Sequence, residues 1–289
     1  MNNASIITLL TDFGLRDTYV AELKGVILAL SPHVVIVDLS HEVIPGGIRE
    51  ASFLLSCSYR YFKPETIHCV VVDPGVGTSR DIIVVRTNHY YFVAPDNGVL
   101  YEAVKKDGGG KIYKIDIEAV RHYLGWGKEV EGTSVISYDF KLPPSSKTFH
   151  GRDIFAPVLS LLASGYSPAL FSTKCSKMEE LKLPKPVKKQ NTVHGIVLYI
   201  DHFGNAITNI TPNLIKKEDE LFLVNDDGPV SIGKVRETYA DVDIGSPLAL
   251  LDSRGFIEIA VNGASAADKL GIRIGQEVLI KEKGLVNKN

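Results

Sequence analysis

An aspartate and an arginine flank a glycine-rich turn in the segment Ile67–Val85, IHCVVVDPGVGTSRDIIVV. The β-branched run that ends at Val72 predicts a buried strand; Asp73 follows it directly, and Arg80 precedes a second β-branched run. A carboxylate at the carboxyl end of a buried strand lies where open α/β sheets bind their ligands. The pair therefore indicates a ligand site, although an Asp–Arg ion pair that only braces the turn is the alternative.

The same turn has the first two glycines of a dinucleotide-binding fingerprint, Gly75 and Gly77. Arg80 stands where the fingerprint has its third glycine, and the following DIIVVRT predicts a strand, so there is no helix N-terminus to bind a phosphate. We therefore exclude a dinucleotide cofactor at this turn.

Two further aspartates follow predicted strands in the first half of the chain. Asp12 comes after the strand Ile6–Leu10, and Asp38 after Val34–Val37. Helices predicted over Thr18–Leu30 and Ile48–Tyr61 separate these strands from each other and from Ile67–Val72, a βαβ spacing that predicts a mainly parallel sheet with helices on both faces. We expect the three strand-end aspartates to line one polar edge, and Asp17 to cap the first helix.

Further strands are predicted near Ile82–Arg86, Tyr90–Ala94 and Ile112–Ile117. Glu118–Thr148 is predicted to be irregular, as a lid or a peripheral insertion. His150, in the segment FHGRD, precedes a helix predicted to run to about Ala163, whose N-terminal dipole favours a neutral imidazole. A lone histidine is more often structural than catalytic.

The pattern changes after the proline- and lysine-rich stretch Ser167–Asn191, where we place the boundary between an N-terminal domain (1–180) and a C-terminal domain (192–289). The second half predicts an antiparallel β-barrel or sandwich with almost no helix. Its polar turns offer amide, aromatic, hydroxyl and guanidinium groups, which suit a ligand that is part aromatic and part zwitterion. The predicted strands are Gly195–Ile200, Asn205–Ile210, Leu221–Val224, Leu248–Leu251, Phe256–Val261 and Glu277–Ile280.

Composition argues against several classes of protein. A net charge of −2, with scattered lysines, argues against nucleic acid or an anionic membrane as partner. Three widely spaced cysteines argue against a disulfide framework and a structural zinc site, and no signal peptide or membrane span is evident. We expect a cytoplasmic protein without a metal or other cofactor.

Five segments, taken in order, resemble one family. They are TDFG…D at Thr11–Asp17, DPGVGTSR at Asp73–Arg80, FHGRDIFAP at Phe149–Pro157, DHFGNAITN at Asp201–Asn209, and DSRG with VNGAS near the end. Together they resemble the S-adenosylmethionine hydroxide adenosyltransferases, hydrolase relatives of the fluorinases and chlorinases. The resemblance covers nearly the whole chain and implies an N-terminal α/β domain, a C-terminal β-barrel, and a homotrimer with active sites at subunit interfaces.

For this family the resemblance implies attack of water on the ribose C5′ of S-adenosylmethionine, giving adenosine and methionine. It makes Asp73, Arg80 and His150 the catalytic set, with Asp73 and His150 accepting from the water and Arg80 orienting it; which of the two takes the proton stays open. Halogenases have tyrosine in place of Asp73, lack the histidine and carry an extra loop. Here the strands around Arg86–Tyr90 are joined by only a few residues, so the extra loop is missing. All three differences from the halogenases favour water over halide as the nucleophile.

The resemblance also implies the substrate-binding residues. Asp12 is expected at the ribose hydroxyls, and the base is expected against two aromatic side chains, an amide and one backbone segment. The amino and carboxylate groups of methionine are expected to face four further residues. The base-binding residues are Phe203, Tyr239, Asn205, Gly263 and Ala264; those facing methionine are Asp17, Asp201, Ser253 and Arg254.

Three alternatives stay open. A non-catalytic S-adenosylmethionine sensor would keep the binding loops without needing the catalytic set. A halogenase is the second alternative. A metal-dependent hydrolase built on Asp12, Asp38, His41 and Asp73 is the third, but these residues lack the close spacing of metal motifs, and hydrogen bonding in the loop explains Asp38 and His41 as well.

Overall fold

The structure, a computed structural model, describes residues 4–124, 146–216 and 218–282. The chain divides into two compact units, with the division between Leu183 and Pro184. In the part of the chain described, no helix is both long enough and apolar enough to cross a bilayer.

The first unit is an α/β sandwich. Its strands form one sheet in the order β2-β1-β3-β5-β4-β6-β7, in which β2, β1, β3 and β5 run parallel and the remaining pairs are antiparallel. The strands are β1 (Ile6–Thr11), β2 (Val35–Ser40), β3 (Ile67–Val71), β4 (Ile82–Arg86), β5 (Tyr91–Pro95), β6 (Lys111–Ile115) and β7 (Ser172–Cys175); the helices are α1 (Tyr19–Leu30), α2 (Ile48–Ser58), α3 (Tyr101–Lys106), α4 (Ile117–Tyr123) and α5 (Ala156–Ala163).

Two apolar cores cover the two faces of this sheet. Side chains of α1 and α5, such as Leu23, Ile27 and Leu159, pack on one face, and those of α2 and α3, such as Leu55 and Val104, pack on the other. The central strand β3 is buried along its whole length, as expected of a parallel strand covered on both faces. The predicted parallel-rich α/β architecture is confirmed.

The parallel pairing brings two of the three predicted strand-end aspartates to one edge of the sheet, and the prediction is wrong for Asp38. Thr11 pairs with Val71, and Leu9 with Asp38. Asp12 and Asp73 therefore both lie just beyond the carboxyl ends of adjacent strands, whereas Asp38 lies inside β2.

Two local predictions in this unit are wrong. The residue before α1 is Thr18 rather than Asp17, and its hydroxyl donates to Glu22 Oε1 at 2.7 Å instead of capping the backbone. Residues 117–123 form α4, capped by the Asp116 side chain, which accepts from the backbone N–H groups of Glu118 and Ala119. Residues 125–145, the rest of the predicted irregular excursion, lie outside the described residues.

The second unit is a closed barrel. Strands follow the order β10-β14-β13-β12-β11-β15-β9, and pairing of β10 with β9 closes the ring, while β8 extends it beside β9. Pairing is antiparallel except between β12 and β13, which run parallel. Its elements are β8 (Val187–Lys189), β9 (Thr192–Ile200), β10 (Ala206–Thr208), β11 (Glu220–Asn225), β12 (Gly228–Arg236), β13 (Pro247–Leu251), β14 (Ile257–Val261), α6 (Ala266–Leu270) and β15 (Glu277–Lys281).

The barrel prediction is confirmed, but the sequence pattern missed two of its strands. β12, GPVSIGKVR, contains two glycines and a proline, which normally break a strand. The stretch Ser167–Asn191 is also more ordered than predicted, because it contributes β7 to the first sheet and β8 to the barrel.

Candidate active site

Arg80 is in direct contact with both Asp73 and His150 in the first unit. Arg80 Nε donates to both carboxylate oxygens of Asp73 at 2.8 Å, and Arg80 Nη2 donates to Asp73 Oδ2 as well. The same Nη2 lies 2.9 Å from Nδ1 of His150. The side chains of Asp73 and Arg80 are only 6% and 13% exposed, so this is a protected ion pair rather than a solvated one.

The turn between Asp73 and Arg80 delivers the two side chains to the same place. The backbone N–H groups of Val76 and Thr78 donate to the carbonyls of Asp73 and Gly75, which gives two successive tight turns. Gly77 adopts φ +80°, and a Cβ there would lie 2.7 Å from the carbonyl oxygen of Lys147. Glycine is therefore required both by the left-handed backbone and by the close approach of the segment that leads to His150.

His150 lies at the start of an unusual helical turn. Gly151–Phe155 form a π-helical turn that continues into α5. The buried Asp153 anchors this turn, because its carboxylate accepts from Ser146 N at 2.5 Å and pairs with Arg152 Nε at 2.7 Å. Short π-helical segments inside helices are frequently found at functional sites.

The imidazole of His150 is held in a defined protonation state. Burial lowers its pKa below the usual 6.5, and the Arg80 guanidinium lowers it further, while Asp73 and Asp153 oppose the shift. The predicted neutral state is thus favoured, though by burial and Arg80. A guanidinium can only donate, so Nδ1 must be the unprotonated nitrogen and Nε2 carries the hydrogen.

Aromatic rings pack beside this set of three residues. Phe149 contacts Phe13 and Tyr19 with ring centroids 5.6 and 5.0 Å apart. A Cβ on Gly151 would lie 3.0 Å from the Phe149 ring and 3.1 Å from that of Phe13, so the glycine permits this packing. Arg80 and His150 line a cavity of about 450 Å³ in this unit.

The other predicted residues of the first unit lie near the same edge of the sheet. Asp12 is half-buried, and its Oδ2 accepts from the backbone N–H of Gly46 at 2.8 Å. Asp17 is exposed in the loop before α1. Neither makes a contact with Asp73, Arg80 or His150 among the hydrogen bonds and ion pairs described for residues 4–124 and 146–183.

Asp38 and His41 belong to a chain of polar contacts that runs from Thr11 to Lys24. His41 Nδ1 lies 2.8 Å from Thr11 Oγ1, its Nε2 lies 3.0 Å from Asp38 Oδ1, and Lys24 pairs with the other oxygen of Asp38 at 2.5 Å. Within the described residues, no group of three or more histidine, cysteine, aspartate or glutamate side chains is placed to hold a metal ion.

In the second unit, five predicted base-binding residues line one cavity of about 480 Å³. Phe203 is 74% exposed, which is unusual for a phenylalanine and leaves its ring available to a ligand. The cavity is lined by Phe203, Asn205, Tyr239, Val261, Gly263, Ala264 and Ser265.

A hydrogen-bond network lies below this cavity. Asp201 Oδ1 accepts from the backbone N–H groups of Phe203 and Asn205, and Asp201 Oδ2 accepts from Asn205 Nδ2 at 3.3 Å. The Tyr239 hydroxyl donates a hydrogen bond to Glu258 Oε1 at 2.5 Å. Burial raises the pKa of the Tyr239 phenol, and the bond to Glu258 raises it further, so the hydroxyl stays protonated.

Ser253 and Arg254 lie in the turn between β13 and β14 and are not part of that cavity lining. Ser253 is exposed, and Arg254 Nε pairs with Asp252 Oδ2 at 3.3 Å while its guanidinium lies over the ring of Tyr199. The predicted methionine-facing residues of this unit are thus less closely grouped than the base-binding ones.

Both units match models of the same protein family. Residues 7–172 match the SAM hydroxide adenosyltransferase N-terminal domain, and residues 195–279 match the corresponding C-terminal domain. The chain belongs to this family.

The chain is similar to named relatives over almost its full length. The (R)-S-adenosyl-L-methionine hydrolase of Salinispora tropica is 33% identical over 277 residues, covering 95% of this chain and 97% of its own. A fluorinase of an Actinoplanes species is 26% identical, covering 96% and 98%. The crystal structure of a conserved protein from Thermotoga maritima has a TM-score of 0.82 at 37% identity, covering 96% and 100%.

Sequence reasoning missed two residues that support the candidate site. Glu258 lies in β14 among apolar residues, so the sequence indicated only a strand with one polar position. Its signal was a glutamate placed between Ile257 and Ile259, in a strand that is buried throughout. Asp153 stands in the FHGRD segment, but the sequence does not show that it anchors the π-helical turn, because that role depends on contacts with Ser146 and Arg152.

Proposed function

We propose that this protein hydrolyses S-adenosyl-L-methionine to adenosine and L-methionine. The observation that carries the proposal is the contact of Asp73, Arg80 and His150 in one protected group, in a chain whose full-length relatives include S-adenosylmethionine hydrolases. The cavity lined by two aromatic side chains and an amide supports binding of a nucleoside.

In the proposed reaction, the oxygen of water bonds to the ribose C5′ as the bond from C5′ to sulfur breaks. The bonding electron pair stays on sulfur, which turns the sulfonium into the neutral thioether of methionine, so the leaving group needs no proton. The water must lose one proton. Holding it in line with the C5′–S bond is the main task of the protein.

We assign acceptance of that proton to Asp73. Because Arg80 occupies His150 Nδ1, the neutral imidazole presents an N–H at Nε2, which donates and orients rather than accepts. Arg80 in turn holds the Asp73 carboxylate in place through a bidentate contact and lends positive charge to the developing hydroxide.

The nucleophile in the proposal is water rather than halide. Asp73 and His150, whose counterparts the halogenases lack, are both in place, and β4 and β5 are joined by a tight turn in which Thr87 N donates to Tyr90 O at 3.0 Å. Where a fluorinase carries an extra loop, this chain has four residues between the two strands.

Product analysis by chromatography tests the proposal. EDTA-treated protein incubated with S-adenosylmethionine is expected to give adenosine and methionine in equal amounts, independent of chloride. Asp73→Asn should lower kcat by roughly 100-fold or more, because a carboxamide cannot take the proton. His89→Gln, which changes an exposed histidine on the β4–β5 turn, is the control for His150→Gln and should be fully active.

Each alternative predicts a different outcome of the same assay. Tight binding of S-adenosylmethionine without product would leave a sensor, and chlorinated adenosine would mean that the nucleophile is halide. Loss of activity on EDTA treatment with recovery on metal addition would revive the metal-dependent hydrolase. Because the named relatives are hydrolases of the (R) form, the assay is run with both sulfonium epimers, and we expect turnover of the (R) form.

We further propose that the enzyme acts as a homotrimer in the cytoplasm, with active sites completed at subunit interfaces. The family resemblance supports the trimer, and exposed apolar side chains beside the base-binding cavity, such as Phe203 and Ile244, are typical of a surface covered by another chain. The three cysteines, all within the described residues, form no disulfide, which suits a reducing compartment.

A further inference from the structure

Glu258 is a buried glutamate next to the base-binding cavity, and the proposed reaction does not use its carboxylate. Glu258 is 3% exposed, and its Oε1 accepts a hydrogen bond from the Tyr239 hydroxyl at 2.5 Å. A buried carboxylate is costly unless it has a partner, and here that partner is the hydroxyl of Tyr239, a residue that lines the cavity.

The hydrogen bond from Tyr239 to Glu258 determines what the Tyr239 hydroxyl can offer to its other neighbour. A phenol has one hydrogen, and here it points to the carboxylate. Toward Asn205 the tyrosine oxygen can therefore only accept, and Asn205 Nδ2 lies 3.5 Å from it.

The carboxamide of Asn205 is thus placed between two acceptors. On one side is the Tyr239 oxygen, and on the other is Asp201 Oδ2, which lies 3.3 Å from the same Nδ2. Both hydrogens of the amide nitrogen have acceptors in these two directions. The orientation with Nδ2 toward them leaves Oδ1, an acceptor, for a ligand in the cavity that Asn205 lines.

We propose that Glu258 is a positioning residue that, through Tyr239, holds Asn205 with its oxygen toward the ligand and so makes the cavity selective for 6-aminopurines over 6-oxopurines. An amino group at C6 donates to Oδ1, whereas the carbonyl of hypoxanthine would place two acceptors face to face. This inference rests on the proposed function, because it takes the ligand to be an adenosyl compound.

Binding of adenosine and inosine to the full-length protein, measured by calorimetry, tests this role without requiring turnover. We expect wild-type protein to favour adenosine by on the order of 100-fold, since an unmatched polar pair in a protected site is costly. Glu258→Met removes the acceptor at similar volume, so the Tyr239 proton turns to Asn205, and the preference should fall at least about 10-fold. Glu258→Gln keeps an acceptor oxygen and should largely restore it.

Two further variants make the result decisive. Tyr239→Phe keeps the ring but removes the hydroxyl, and it should also reduce the preference; it provides the test if Glu258→Met does not fold. Glu277→Gln changes a glutamate on the outside of the barrel, paired with His194, and should leave the preference unchanged. An adenosine preference that survives in both Glu258→Met and Tyr239→Phe would overturn the inference.

The outcome is separable from that of the proposed function. Protein that distinguishes adenosine from inosine as described, yet forms no product from S-adenosylmethionine, would contradict the hydrolase and leave the positioning role standing. Protein that hydrolyses S-adenosylmethionine but shows no dependence of base preference on Glu258 would contradict only the positioning role.

Discussion

Arg80 serves two partners at the residue scale, and this double contact defines the chemistry of the site. Its guanidinium donates to both oxygens of Asp73 and to Nδ1 of His150. One residue thereby holds the carboxylate in place and selects the tautomer of the imidazole. Lysine, a point charge without the planar fork, cannot reproduce both contacts.

Replacing Arg80 should change the titration of His150 in a defined direction. Burial and the guanidinium both lower its pKa, while Asp73 and Asp153 raise it. In Arg80→Met the lowering by Arg80 is removed and the raising carboxylates remain, so the pKa should move upward. Nuclear magnetic resonance of the labelled imidazole measures this directly; an unchanged or lower pKa would contradict the arrangement described.

The same shift predicts the acid limb of the activity profile. Because the folded protein holds the His150 pKa below 6.5, the neutral imidazole should persist to lower pH than in a free histidine. We expect kcat/KM to be flat at neutral pH and to fall only as pH drops below 6.5. A limb centred above pH 6.5 would show that another group limits the reaction.

At the element scale, the Asp73–Arg80 turn and the segment before His150 approach each other closely at Gly77. Gly77→Ala places a methyl group against the Lys147 carbonyl at a φ of +80°. The turn must move, and we expect activity to fall by on the order of 10- to 100-fold, since small misplacements of catalytic groups are costly. Gly108→Ala has a similar φ of +87° but open space around it, so it should remain active.

His68, in strand β3, should make the stability of the protein depend on pH. His68 is fully buried, accepts or donates to Thr8 Oγ1 at 2.8 Å and stacks on Phe92, and burial lowers its pKa to about 3. Between pH 6.5 and about 3 the unfolded chain binds the extra proton. The free energy of unfolding should therefore fall as pH falls through this window, by up to roughly 1.4 kcal/mol per pH unit.

Urea unfolding from pH 7 to pH 4 checks this expectation. His68→Phe removes the titrating group and should flatten the dependence by about one proton's slope. His33→Phe, at an exposed position, is the matched control and should retain the wild-type slope. Equal slopes in wild type and His68→Phe would assign the acid sensitivity to other groups.

At the scale of the whole molecule, the proposed functional groups are divided between two units. The water-activating set lies in the first, and the base-binding cavity lies in the second. Under the proposed trimer, a site can be built from the first unit of one chain and the second unit of its neighbour.

Complementation between inactive variants tests this arrangement. Asp73→Asn and Asn205→Ala chains, each inactive alone, should regain activity when dissociated and reassembled together. With random mixing of equal amounts, about a quarter of the sites in closed rings should carry both intact groups. Mixtures that stay inactive, although mass measurements show mixed trimers, would place both groups in one chain's own site.

Much of this protein could be predicted because local chemistry and global fold agree. Strands buried on both faces of a sheet need apolar runs rich in β-branched residues, so Ile67–Val71 and Ile82–Arg86 were evident in the sequence. The predicted catalytic and base-binding residues stand in short segments with specific order, and Arg80 contacts both Asp73 and His150 in the structure. Their catalytic roles stay predictions until the variants are assayed.

Three features depended on tertiary structure. Strand β12, with its glycines and proline, forms because β11 and β13 pair with it on either side, a stabilisation that no local propensity records. The tautomer of His150 depends on a guanidinium 70 positions earlier in the chain. The orientation of Asn205 depends on Glu258, to which it is linked through Tyr239.

The sequence by itself determined the residue types, the strand and helix periodicity, and hence the architecture of each unit. Hydrogen-bond direction and protonation state are properties of groups distant in the chain that burial brings together. Burial strengthens those interactions by removing water, and only the folded chain specifies which groups are buried together.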